Sequence, residues 1–124
     1  MKTPAVVLIL EEPQDLESYG ASLRDRGYET LICNSPGEAI NSFETESVSL
    51  VIVGQDTPRF EGRQVLERCL KLHPEVPVLV VARVLDMHYY LEAMDMGAID
   101  YLERPEPHDL AWVVDTQILR TRAA

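Results

Sequence analysis

Glu11 and Glu12 are adjacent carboxylates set directly after the apolar run Ala5–Leu10, and Asp56 is a third, just past a second apolar run, Leu50–Val53. Carboxylate oxygens grouped at the ends of two strands suit a hard divalent cation such as Mg²⁺, so Glu11, Glu12 and Asp56 are the candidate ligands for a weakly held metal. Arg104-Pro105, after the segment Ile99–Leu102, supplies a permanent positive charge. Other chemistries lack their residues. No GxGxxG or GxxxxGKS/T loop is present to cradle a nucleotide phosphate. His73, His88 and His108 are scattered without ligand spacing. Cys33 and Cys69 lie in apolar contexts at no metal-type spacing and read as buried free thiols of a reducing cytoplasm.

The carboxylates and the arginine need elements to position them. VSLVIVGQDTP, residues 48–58, holds the run Leu50–Val53, then Gly54, Gln55-Asp56 and Thr57-Pro58. A short apolar run bounded by turn residues predicts a strand buried on both faces, the kind at the centre of a parallel sheet. Ala5–Leu10 and Val76–Ala82 read the same way, whereas Tyr28–Cys33 alternates and suits an edge strand. Between them the spacing predicts helices. One starts at Pro13 with Leu16, Tyr19 and Leu23 inward. A second has Ser35 and Glu38 as a capping box and Ala39, Ile40 and Phe43 inward. A third turns Val65, Leu66, Cys69 and Leu72 inward and ends at His73-Pro74. A fourth runs from an Asp86 cap to Met96, stopped by Gly97. A fifth spans about Pro107 to Arg120 with Leu110, Val113, Val114 and Ile118 inward.

Five strands alternating with five helices predict an α/β fold: a parallel sheet covered by helices on both faces through right-handed crossovers. The flavodoxin-like order 2-1-3-4-5 is the natural arrangement, with its crevice between strands 1 and 3, where Glu11, Glu12 and Gly54 meet. At 124 residues, with 46% apolar and 26% charged residues, the chain 1–124 is expected to be one globular domain, alone or as the N-terminal part of a longer protein. Acidic residues outnumber basic ones 21 to 11, and the net charge of −10 disfavours nucleic-acid and anionic-membrane partners. The longest apolar run is far short of a membrane span.

The arrangement of Glu11-Glu12, Gly54, Ala82 and Arg104 at four strand ends resembles the receiver domain of two-component response regulators (CheY-like). LVIVGQDTPRFEG is similar to the family's third strand and following loop, with Pro58 and Gly62 in the expected places. GAIDYLERP is similar to its strand 5 segment, with Gly97, Ala98, Asp100, Tyr101 and Pro105 retained. The resemblance implies an acidic pair and an acceptor aspartate that hold Mg²⁺, a Thr or Ser after strand 4, and a Lys-Pro after strand 5. Metal and lysine would neutralise the charge on the transferring phosphoryl group.

At each of those positions this chain departs from the pattern: Glu11-Glu12 for the acidic pair, Gly54 for the acceptor, Ala82 for the hydroxyl and Arg104 for the lysine. The expectation is a degenerate pseudo-receiver, not an enzyme, that works without phosphorylation through protein contact. A Glu–Arg pair between Arg104 and Glu11 or Glu12 is expected to stand in for the metal cluster. The resemblance implies as partners a histidine kinase, an effector domain or another receiver. Tyr101, Tyr90, Met94 and Trp112 mark the expected switch and interface residues, on the fourth helix, fifth strand and fifth helix, the face through which the resemblance also implies a homodimer of this chain. Two alternatives stand beside it: an active Mg²⁺-dependent receiver phosphorylated at Asp56, and a flavodoxin-like ligand-binding domain.

Overall fold

Three runs without a polar side chain become the three inner strands of a single parallel sheet. The computed structural model describes residues 4–10, 12–55 and 62–123. Its elements alternate as β1 (Ala5–Ile9), α1 (Pro13–Asp25), β2 (Glu29–Cys33), α2 (Pro36–Thr45), β3 (Val48–Gln55), α3 (Arg63–Leu72), β4 (Val78–Ala82), α4 (Met87–Met96), β5 (Asp100–Glu103) and α5 (Pro107–Ala123). The sheet order is β2-β1-β3-β4-β5, as the alternation predicts. β1, β3 and β4 are inner strands, and their apolar runs have both faces covered by helices.

Side chains alternate across the sheet and feed two separate cores. Val51 and Val53 of β3 join Val7, Val80, Val65, Leu66 and Phe43 on the face covered by α2, α3 and α4. Leu50 and Ile52 join Leu8, Leu79, Leu16, Leu23, Leu110 and Val114 on the face covered by α1 and α5. Because each residue of β3 belongs to one face or the other, the register fixes which way its last residues point. Gln55 falls in phase with Val51 and Val53, on the α3–α4 side.

Local signals set the helix ends. Asp86 caps α4 through the backbone N–H groups of His88 and Tyr89, and Gly97 closes it with φ of 113°, a left-handed value suited to glycine. Ser35 caps α2 by accepting from the Glu38 N–H at 3.1 Å. Glu38 reaches back one residue further than a capping box requires and accepts from the Asn34 N–H at 2.6 Å. Leu72, expected inward, is 44% exposed, because α3 ends there and the chain turns away at His73. α5 is fastened to α1 and its C-terminal turn by several bonds. Tyr19 donates to the Pro105 carbonyl, Ser22 donates to the Pro107 carbonyl, and Arg26 and Tyr28 both bind the Asp115 carboxylate. Among the described residues no helix is long and apolar enough to cross a membrane.

Cys33 and Cys69 are buried free thiols in the α2–α3 core. Burial pushes the Cys69 thiol from 9.0 up to about 11, and burial likewise raises Cys33. The folded state therefore holds a proton that the unfolded chain releases at lower pH. Stability from this source is complete below about pH 9 and declines as pH rises toward 11. Urea unfolding of the wild type should show that decline, and Cys69→Ala should flatten it; an unchanged slope in the variant would contradict the assignment.

Candidate functional site

Because the strands are parallel, their carboxyl ends gather at one edge of the sheet, and that edge holds the sequence-predicted residues. Glu12 leads into α1 and caps it, accepting from the Gln14 N–H at 3.3 Å. Gly54 and Gln55 end β3, in register with Val81 and Ala82 of β4. Ala82 is fully buried and in turn pairs with Glu103 of β5. Arg104 follows, its N–H bound to the Ala82 carbonyl at 2.8 Å. Its φ of 41° lies in the left-handed region, a strained conformation for a residue with a side chain. Glu11 and Asp56 lie outside the described residues.

Two hollows border these residues among the described ones. Ala82 and Arg104 border a cavity of about 250 Å³ together with Arg83, Asp15, Ser18, Tyr19 and Glu106. Gly54 borders a second, of about 160 Å³, with Ile9, Leu10, Asn34, Ser35 and Gly62. Gly62 closes that hollow from the α3 side, and a Cβ there would stand only 2.8 Å from the Val53 Cβ and 3.0 Å from the Gly54 carbonyl oxygen. The glycine is required by this close approach.

For Glu12 the expected partner is corrected. Glu12 does not pair with Arg104; its carboxylate lies 3.5 Å from Arg83, which also approaches Asp15 at 3.8 Å. Among the described residues no carboxylate makes an ion pair with Arg104. The physical reason is position: Arg83 directly follows the β4 end and faces α1, where Glu12 and Asp15 stand one turn apart. The pairing with Glu11 lies outside the described residues. Of the three candidate Mg²⁺ ligands only Glu12 is among the described residues. Gly54 brings no side-chain oxygen, Glu12 is engaged with Arg83 and its own helix cap, and no group of three ligating side chains occurs among the described residues.

Gln55 is the functional residue that sequence reasoning missed. It is the one buried polar side chain among the described residues, 5% exposed, and its Oε1 accepts the hydroxyl hydrogen of Tyr101. The bond crosses β4 diagonally, on the same face as Ala82, whose methyl leaves that path open. Burial raises the Tyr101 phenol, the Asp86 backbone N–H partly offsets this, and the Asp86 and Glu103 carboxylates add to the rise. Tyr90 packs edge-on against the Tyr101 ring at 5.4 Å. The signal was present in the sequence: a glutamine ending an apolar strand must find a partner if it stays buried. Tyr90 thus meets Tyr101, and Met94 packs against the same core. Trp112 stands apart from them. With Asp115 and Leu119 it occupies i, i+3 and i+7 of α5, and Asp115 binds Arg26 and Tyr28, so this stripe flanks α1 and not α4.

A profile of the response regulator receiver domain matches residues 6–114. The chain belongs to the response regulator receiver domain family. It is therefore a receiver domain of two-component signalling. It is 32% identical over 102 residues to the response regulator protein FleR of Pseudomonas aeruginosa, which covers 82% of this chain and 22% of that protein. It is 28% identical over 106 residues to a putative response regulator, NtrX-like, of Rickettsia typhi, with coverages of 83% and 22%. The receiver thus spans about a fifth of the length of these two relatives. In structure it is similar to a CheY-like receiver domain protein from Methanospirillum hungatei JF-1, with a TM-score of 0.89, 23% identity and 98% of both chains covered.

The Gln55–Tyr101 bond makes a quantitative prediction. Gln55→Leu and Tyr101→Phe each leave a buried polar group without its partner, at a cost of about 1–3 kcal/mol in urea unfolding. The double variant should cost clearly less than the sum of the two. Additivity to within about 0.5 kcal/mol would mean that the two side chains are not coupled.

Proposed function

We propose that this receiver transmits its signal without accepting a phosphoryl group, through contact with another protein. The observation that carries the reading is Gly54: the family's acceptor position at the end of β3 holds no nucleophile. Two further observations support it. Glu12 is held by Arg83, and the aromatic of β5 already has a buried partner in Gln55. In relatives the phosphoryl group supplies the drive that sets such a switch. Here a side-chain hydrogen bond built into the chain holds Tyr101 inward. The domain is then a signalling module and not an enzyme. Its partners are a histidine kinase, an effector domain or another receiver, met on the face formed by α4, β5 and the loop before α4. Two buried free thiols accord with a cytoplasmic setting.

The test is direct. The protein is incubated with a small acyl phosphate and Mg²⁺, and its intact mass is read against a phosphorylatable receiver treated alongside. The expected result is an unchanged mass. An adduct of about 80 Da, one phosphoryl group, would overturn the proposal. Loss of that adduct in Asp56→Asn would assign the chemistry to Asp56.

A further inference from the structure

Arg104 and Glu106 stand on either side of Pro105, and both border the cavity of about 250 Å³ between α1, the end of β4 and the turn into α5. Among the described residues neither side chain makes an ion pair, those at this edge being the pairs of Arg83 with Glu12 and Asp15. Arg83 and Asp15 border the same cavity, and their 3.8 Å separation is longer than a hydrogen bond. The Ser18 hydroxyl adds a donor and an acceptor on the α1 side. Val81 and the rings of Pro105 and Pro107 supply apolar wall.

The walls are held by bonds that do not depend on an occupant. The Arg104 N–H donates to the Ala82 carbonyl at 2.8 Å, the Tyr19 hydroxyl to the Pro105 carbonyl at 2.8 Å and the Ser22 hydroxyl to the Pro107 carbonyl at 3.1 Å. A cavity formed in advance spares a ligand the cost of ordering it. Arg104 keeps its left-handed φ of 41° inside this fastened turn, and backbone strain at a residue that borders a cavity is a mark of functional geometry. Charge decides what could enter. A bare anion meets Asp15, Glu106 and a chain of net charge −10; a bare cation meets two guanidinium groups. A small molecule with one charge of each sign finds a partner for both and brings no net charge.

We propose that this cavity binds a small zwitterion of the α-amino-acid class. Its carboxylate would take the planar fork of Arg104, with the Ser18 hydroxyl as a further donor, and its ammonium would lie against Glu106 and Asp15. The cavity is separate from Gly54, which borders the other hollow, so occupancy does not depend on whether the domain accepts a phosphoryl group. A bound zwitterion would tie α1 to the ends of β4 and β5. The exposure of Arg104 and Glu106 to water keeps such binding weak and reversible.

The experiment titrates the isotopically labelled protein with each of the standard α-amino acids in turn and follows amide chemical shifts. At least one should give saturable shifts at Ser18, Arg83, Arg104 and Glu106, and its binding should weaken as salt rises. Its N-acetyl derivative, which loses the ammonium, and its methyl ester, which loses the carboxylate, should each bind roughly tenfold or more weakly, the size of one hydrogen bond to a charged group. Arg104→Gln and Glu106→Gln should each lose a similar factor. Both side chains are exposed, so the variants should keep their fold, which circular dichroism checks. Trp112→Gln, outside the cavity, should bind like the wild type. No saturable shift with any amino acid, shifts centred elsewhere, a derivative that binds as well as its parent, inorganic phosphate that binds the same residues more tightly, or indifference to both variants would each overturn the proposal.

Discussion

The buried hydrogen bond between the Gln55 amide and the Tyr101 hydroxyl is the interaction on which the functional end of this domain depends. It joins the end of β3 to β5 across β4, inside a core that is otherwise apolar on that face. A glutamine in such a place is costly unless its polar atoms are satisfied, and here the partner is an aromatic side chain from two strands away. The bond orients the Tyr101 ring, Tyr90 stacks on that ring, and α4 inherits its position from the pair. The loop between β4 and α4 is held on its other side by Glu103.

The substitutions at the strand ends fit together physically. Gly54, near the end of β3, brings no side-chain carboxylate beside Glu12. Arg83, a permanent cation, satisfies Glu12 and approaches Asp15. Ala82, paired with Gln55 in the sheet, lies on the face where Gln55 bonds to Tyr101. A receiver that responds to phosphorylation must balance two states of nearly equal free energy. Under the proposed reading, contacts such as Gln55–Tyr101 and Glu12–Arg83 would bias such a balance toward one state.

Most of the fold was legible in the sequence because its signals are strong and local. Three apolar runs, Asp86 as a cap, Gly97 as a stop and alternating element types lead to the strand order without any long-range information. Gly54, Ala82 and Arg104 were legible through the pattern of a known family and stand at the strand ends as expected. What stayed hidden depends on pairing between distant residues. Glu12 had two arginines to choose from, and only the direction of the chain after β4 favours Arg83 over Arg104. Gln55 looked like the start of a loop, since a polar residue after glycine usually is one; its burial follows from strand register and from Tyr101, 46 residues on. Trp112 was assigned by exposure and helix number, yet the side of α5 it occupies is set by where Asp115 meets Arg26 and Tyr28.

The central claim is that the switch region has one setting and that phosphoryl chemistry does not move it. The measurement that tests this most directly compares amide spectra of the protein alone, with Mg²⁺, and with Mg²⁺ plus beryllofluoride, a stable mimic of a bound phosphoryl group. The account predicts that Gln55, the 83–86 loop and Tyr101 keep the same shifts in all three spectra. Saturable shifts at those residues on adding Mg²⁺ and beryllofluoride together would contradict it.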